Sequence, residues 1–257
     1  MHGFDTSVAL AWSRRWLGIS EDGRRPRYPA KPSPQKAAEP DAEAKQARAL
    51  DIWANAVPVD GTSAEHYLRS RGLDPEKLYS LTGPRSWPAT LRYSERVALN
   101  PGQLCRALII AVHCGHLGSV RSIQRVLLNR DGTAVRDSRG RRMKLSLGPI
   151  RGNAAMFDYW PDSEGRWGLA EGPETALAAY SLTGIPTWAA IAAGNMHQVV
   201  PPSWARHAVI FSDNDNVGMA AAAKALQAIQ SRPGIESVRI AATTSGNDAA
   251  DLNSRAH

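Results

Sequence analysis

Glu171, Asp213 and Asp215 are the residues whose types and spacing could do chemistry in this 257-residue chain. Trp167-Gly-Leu-Ala-Glu171 reads as a short apolar strand that stops at a carboxylate. Asp213-Asn-Asp215 follows a second apolar run, His207-Ala-Val-Ile-Phe-Ser212, and Asp248 and Asp251 follow a third, Ser237 to Ala242. Carboxylates gathered at strand ends repel one another unless hard cations lie between them. Oxygen-only sites of that kind suit Mg²⁺, or Mn²⁺, which keeps several waters and shares the phosphate oxygens of a substrate. Each acid taken singly is equally well a solvated loop residue or a helix N-cap, Asp248 above all.

The elements that must hold these acids alternate strand and helix. Gly172-Pro-Glu-Thr-Ala-Leu-Ala-Ala-Tyr180 opens a helix with proline in its first turn, where the missing N–H costs nothing, and Gly184 is its C-cap. Thr187 to Ala192 is a second strand, and an alanine-rich helix runs from about Gly218 to Gln230. Gly234 breaks the chain before the Ser237–Ala242 strand, and Gly246-Asn-Asp-Ala-Ala-Asp251 opens a last helix. Continuous apolar strands separated by helices predict an α/β fold with a parallel sheet of about four strands covered on both faces. Ligands bind such sheets beyond the carboxyl ends of the strands, where Glu171, Asp213 and Asp215 fall.

These residues resemble the Toprim domain, shared by bacterial-type primases, topoisomerases and some nucleases. The resemblance is carried by Glu171-Gly172 after a strand, Asp213-x-Asp215 after another, and the Gly-x-Asp-x-x-Asp tail. Glu-Gly-Pro-Glu-Thr-Ala-Leu and Ala-Ile-Ala-Ala-Gly-Asn are most similar to Toprim primases of phages, plasmids and integrative elements. The resemblance implies that Glu171 does general acid/base work and that Asp213 and Asp215 hold Mg²⁺, with Asp248 or Asp251 completing a two-ion site. Many such primases carry an Asp where this chain has Thr175, with Glu174 one residue earlier as a candidate additional acid. Whether Glu171 is base or ligand stays open.

The rest of the chain is basic. From Trp167 onward there are five Lys/Arg against seven Asp/Glu, so the net charge of +7 comes wholly from the first two-thirds. A basic part joined to an acidic part fits a nucleic-acid enzyme. No apolar run approaches the roughly 18 residues of a membrane span. The N-terminus lacks a secretory pattern, and two cysteines exclude a disulfide framework, which together predict a cytoplasmic protein. Residues 1–20 hold an amphipathic helix similar to the one after the primase zinc-binding module, although no Cys/His ligand set precedes it, so the chain is either a fragment or a shortened relative. Residues 21–44, rich in proline and arginine, read as an extended linker.

Residues 45–160 form a separate subdomain, helical and then strand-rich, before a Toprim domain at 161–257. Asp41 to Ala56 is a helix, and Thr62-Ser-Ala-Glu65 is a capping box that starts another, closed by Gly72. Gly61 to Leu73 resembles the segment preceding Toprim in mobile-element primases. Strands are expected at Ala107–Val112, Val120–Leu128 and Lys144–Leu147, with Asn129-Arg-Asp-Gly132 a turn. Cys105, His113, Cys114 and His116 suggest a metal site but lack a second conventional ligand pair. Arg121 to Arg151 carries nine basic residues and two acids. Arg-Ser-Ile-Gln-Arg-Val and Arg-Met-Lys-Leu-Ser-Leu-Gly look like primase-core strands that line the groove for template and nucleotide. That match marks Arg121, Arg125 and Lys144, with Arg142 and Arg151, as phosphate contacts.

The expectation is a Mg²⁺-dependent primase making short RNA primers on single-stranded DNA from nucleoside triphosphates. A replicative helicase, or a zinc module supplied in trans, would be its partner. A Toprim nuclease and a non-catalytic DNA-binding or docking protein are the alternatives. A topoisomerase is excluded by the lack of room for a separate tyrosine-bearing domain.

Overall fold

The computed structural model describes residues 41–78, 86–100, 103–114, 118–157 and 161–242. The expected helix at 1–20, most of the linker and the helix opening at Gly246 lie outside the described residues. Helix α1 (Ala42–Asn55) stands where a helix was expected from Asp41 to Ala56. Its strong helix formers outweigh the pull of the prolines upstream.

Strand β1 (Val57–Pro58) and helix α2 (Ser63–Ser70) follow. Thr62 caps α2 by accepting the Ala64 N–H, while Glu65 reaches back to the N–H of Gly61 rather than to that of Thr62. The capping box is thus shifted by one residue at its second bond. Four antiparallel strands come next: β2 (Leu91–Asn100), β3 (Gln103–His113), β4 (Val120–Leu128) and β5 (Lys144–Leu147). With β1 they form one sheet in the order β1-β2-β3-β4-β5.

The second sheet contains β6 (Arg166–Ala170), β7 (Thr187–Ala189), β8 (His207–Ser212) and β9 (Ser237–Ala242), all parallel, in the order β7-β6-β8-β9. Helix α3 (Pro173–Thr183) connects β6 to β7 and ends at the left-handed Gly184, while α4 (Asn216–Gln230) connects β8 to β9. From β6 the chain passes to a neighbour on one side and then, with β8, to the other. The strand order therefore reverses between β6 and β8, where ligands of such sheets bind. The fold class is as expected, but β7 is three residues long instead of six. After Ala189 the chain leaves the sheet and winds into a 3₁₀ turn, Ala193–Gln198.

The two sheets share a core. Leu108, Ile110, Val112, Val126 and Leu128 of the antiparallel sheet pack in one cluster with Tyr67 and Leu68 of α2 and with Ala176, Leu177 and Phe211 of the parallel half. The opposite face of β3 and β4, with Ile109, Ile123 and Leu127, packs under α1 through Ala49, Ile52 and Trp53. Both faces of β4 are buried from Ser122 to Leu128, polar Ser122, Gln124 and Arg125 included.

Candidate active site

Glu171 and Asp213 stand immediately after β6 and β8, on the two sides of the strand-order reversal. Asp215 is the N-cap of α4, and its Oδ1 accepts the Gly218 N–H at 2.6 Å. Gly218 is required by this turn, since a Cβ there would lie 2.8 Å from the Asp213 carbonyl oxygen and 3.3 Å from Asp215 Oδ1. Asp215 is exposed, and the cap uses only one of the acceptor sites of its carboxylate. On the other side, Thr175 in the first turn of α3 directs its hydroxyl to Asp213 Oδ1 at 3.5 Å.

Glu171 is half-buried and is clasped by the segment after β7. Ile191 N–H donates to the Glu171 carbonyl at 2.8 Å, and the Ala193 N–H bonds its carboxylate. To do this Ile191 takes φ of 74°, the left-handed region that a β-branched side chain disfavours by about 1–3 kcal/mol. The turn is held from the antiparallel half. Gln124 of β4 donates to the Ile191 carbonyl at 3.4 Å, and Asn195 bonds the Ala190 and Asn153 carbonyls and the Gly152 N–H. Burial raises the pKa of Glu171. The Ala193 bond opposes the rise, the charge of Asp215 adds to it and that of Lys144 lowers it. In the metal-free protein Glu171 should therefore titrate above the ordinary glutamate value of 4.5, and Asp215→Asn should bring it down. Carboxyl-carbon NMR titration reads both; an unshifted midpoint in Asp215→Asn would mean that the two acids do not interact.

Glu174 is not turned toward Asp213. It is 3 % exposed, receives Lys144 Nζ at 2.8 Å and the Tyr67 hydroxyl at 2.6 Å, and so joins β5 and α2 to α3. Burial alone would raise its carboxyl, but the Lys144 charge and hydrogen bond, with the Tyr67 bond, outweigh that and hold it well below the usual carboxylate range. The Tyr67 phenol is pushed up by burial and by Glu174. Neither partner of Glu174 could be found from sequence alone, because Tyr67 lies 107 residues away and Lys144 lies 30 residues away across two sheets.

The basic residues divide by strand face. Val126 pairs with Lys144 and Arg125 with Leu145, so Lys144 faces the parallel half and Arg125 faces α1. Arg142, two residues before Lys144, lies near enough for its charge to act on Tyr67. Arg125 is not brought to the acids. It is 8 % exposed, and among the described residues its one hydrogen bond runs to the Ala98 carbonyl at 3.5 Å and its Nε has no partner. Burial and the charge of Arg48 both lower its pKa. A buried cation without an acid costs stability, so Arg125→Leu should raise stability by about 1–3 kcal/mol, read by urea denaturation. Destabilisation instead would show that the guanidinium is compensated.

Arg121 is exposed at the start of β4. Arg151 is also exposed, bonded to Gln198 beside a 360 Å³ pocket lined by Trp188, Met156 and Val199 to Ser203. Cys105 and Cys114 lie near opposite ends of β3, and no group of three His, Cys, Asp or Glu side chains is gathered for a metal among the described residues. His116, Asp248 and Asp251 lie outside the described residues. The donors that are described, hard carboxylate oxygens on Asp213, Asp215 and Glu171, fit Mg²⁺, which needs only one or two protein carboxylates beside waters and substrate phosphates.

Residues 166–256 match the Toprim domain family, and residues 43–157 match a family described as a domain of unknown function (DUF7146). No curated protein matches the chain. Among solved structures the fold is similar to the DnaG catalytic core, with a TM-score of 0.54 at 14% identity over 81% of this chain and 74% of that one. It is also similar to the DnaG primase catalytic domain bound to ssDNA, with a TM-score of 0.51 at 15% identity over 82% and 74%. The primase fragment of the bacteriophage T7 primase-helicase aligns with a TM-score of 0.45 at 15% identity over 65% of this chain, which spans 63% of that fragment.

Proposed function

Because this chain carries a Toprim domain at residues 166–256, on a fold shared with the DnaG catalytic core, we propose that it is a primase-type nucleotidyltransferase. It makes short RNA primers on single-stranded DNA, in the cytoplasm, for phage or mobile-element replication. What supports the reading is that Glu171 and Asp213 follow the neighbouring strands β6 and β8 at the strand-order reversal, while the charges of Asp215 and of Lys144 from the basic half both act on Glu171. Residues 45–160 and 161–257 then act as the basic and acidic halves of one active unit.

A Mg²⁺ bound there would supply charge neutralisation of phosphate oxygens and a lowered pKa for the attacking hydroxyl. Asp213 and Asp215 would hold the ion through hard oxygens. Glu171, held half-buried by the Ile191 turn, accepts the proton of the primer 3′-hydroxyl or adds a ligand. Lys144 and Arg142 place positive charge where the triphosphate enters, Lys144 as a point charge and Arg142 as a fork. Arg121 and Arg151, exposed, track the template backbone. A helicase, or a zinc module in trans, would select the template.

Primer synthesis from labelled nucleotides on single-stranded DNA, with and without Mg²⁺, tests the reading. Short, metal-dependent products are expected. Metal-dependent nicking of plasmid DNA without products would assign a nuclease. Salt-sensitive DNA binding with neither activity, even with a zinc module added, would assign a binding protein.

A further inference from the structure

The 360 Å³ pocket beside Arg151 opens where the segment after β5 crosses to the edge strand β7, at the Ala155–Ala189 bridge. Met156, Trp188, Val199 and Pro202 make its apolar wall, and all four are buried. Trp167 packs edge-on against Trp188, with ring centroids 5.5 Å apart, and so fixes the orientation of that ring. Asn153 also lines the pocket and is 9 % exposed. Its Nδ2 donates to the Pro149 carbonyl at 3.0 Å, while its Oδ1 accepts no hydrogen bond from the described residues. At the mouth, Gln198 holds Arg151 by its Nε, and the two terminal nitrogens of that guanidinium have no partner among the described residues. Burial and the charges of Lys224 and Arg151 lower the pKa of His197, in the turn beside the pocket, so three basic groups share this surface.

We infer that this pocket takes one unstacked nucleobase of a single strand, with the adjoining phosphate on the Arg151 fork. The inference deepens the single-stranded-DNA reading above and rests on it. An apolar wall with a fixed indole favours a flat ring removed from water, and the Asn153 oxygen can accept an N–H from the edge of the base. A guanidinium anchored at Nε offers its remaining nitrogens to a phosphate. Bases paired in a duplex stay in their stack, whereas a single strand turns one out at little cost, so the pocket selects single strands. Gly152 N–H donates to Asn195 at 2.8 Å and Asn195 donates to the Asn153 carbonyl at 2.9 Å. These bonds tie the base-holding wall to the turn that seats Glu171.

Fluorescence anisotropy of the full chain with a short labelled oligothymidylate, and with the same sugar-phosphate strand lacking bases, reads the contribution of the base. The base-free strand should bind the wild type about tenfold more weakly. Val200→Glu places a competing carboxylate on the exposed rim, and Ser203→Leu closes the exposed mouth. In either variant the ratio should fall below about twofold. Cys114, exposed and lining the pocket, gives a reading that needs no variant: oligothymidylate, and not the base-free strand, should slow its alkylation. Equal affinity for the two strands would overturn the inference and leave the primase reading to stand on its synthesis assay. A base preference that persists in folded Val200→Glu and Ser203→Leu, or a Cys114 that stays unprotected, would place the base elsewhere and overturn it too. Binding of neither strand by the wild type would overturn the single-stranded-DNA reading and the inference together. Protection of Cys114 by a short acidic peptide carrying a tryptophan, and not by the oligonucleotide, would assign the pocket to a protein partner instead.

Discussion

Glu174→Ala should destabilise the protein by about 3–5 kcal/mol, the cost of removing one partner from a buried ion pair. The substitution leaves Lys144 without its carboxylate and the Tyr67 hydroxyl without its acceptor, in a core cluster that joins both halves. Urea denaturation measures the loss. The double variant Glu174→Leu with Lys144→Met should recover much of it, because two charges leave together and apolar volume remains. If Glu174→Ala were neutral, the triad would be open to water and would not brace the halves. The acid limb carries a second signature. The Glu174 carboxyl is held below its ordinary value of 4.5, so its contribution is complete above that pH. It is lost as the pH falls through the lower folded-state value, where the unfolded chain binds the extra proton. The wild type should lose stability there more steeply than Glu174→Ala.

Asp213→Asn should lower Mn²⁺ affinity and primer synthesis by about 10²-fold or more, close to 3 kcal/mol of lost transition-state stabilisation. The change keeps the size of the side chain, and an amide oxygen still accepts the Thr175 hydroxyl. Stability should therefore shift by no more than about 0.5 kcal/mol, which separates a chemical defect from a folding one. Asp215→Asn is a useful companion, because asparagine caps a helix as well as aspartate and the Gly218 bond survives. A variant of Asp213 that keeps both metal binding and synthesis would remove this residue from the centre.

The parallel half was legible because its strands are apolar runs cut by Gly, Pro or acids. Thus His207–Ser212 and Ser237–Ala242 appear with the bounds expected of them. The end of β7 was not. Ala190-Ile-Ala192 reads as more strand, and only the tertiary bonds of Ile191 to Glu171 and Gln124 turn it out of the sheet. Facing was equally hidden in β4. Both of its faces are buried, so alternation carries no signal, and only the register of Val126 with Lys144 shows that Arg125 points away from the acids. The acids themselves could be found from their place after strands, since that place is local. The capture of Glu174 could not, because it depends on a contact between sheets.

The strained turn at Ile191 bears on how such a chain can be divided. Its carbonyl is held by Gln124, its neighbour Asn195 is bonded to Asn153 and Gly152, and the turn in turn seats the Glu171 carboxylate. A chimera joined ahead of β6 would exchange one side of that clasp and, with it, the Lys144 and Tyr67 partners of Glu174. Exchange between relatives should succeed when residues 40–257 travel as one block and fail when the Toprim half travels alone, even though its own strands and acids are all present.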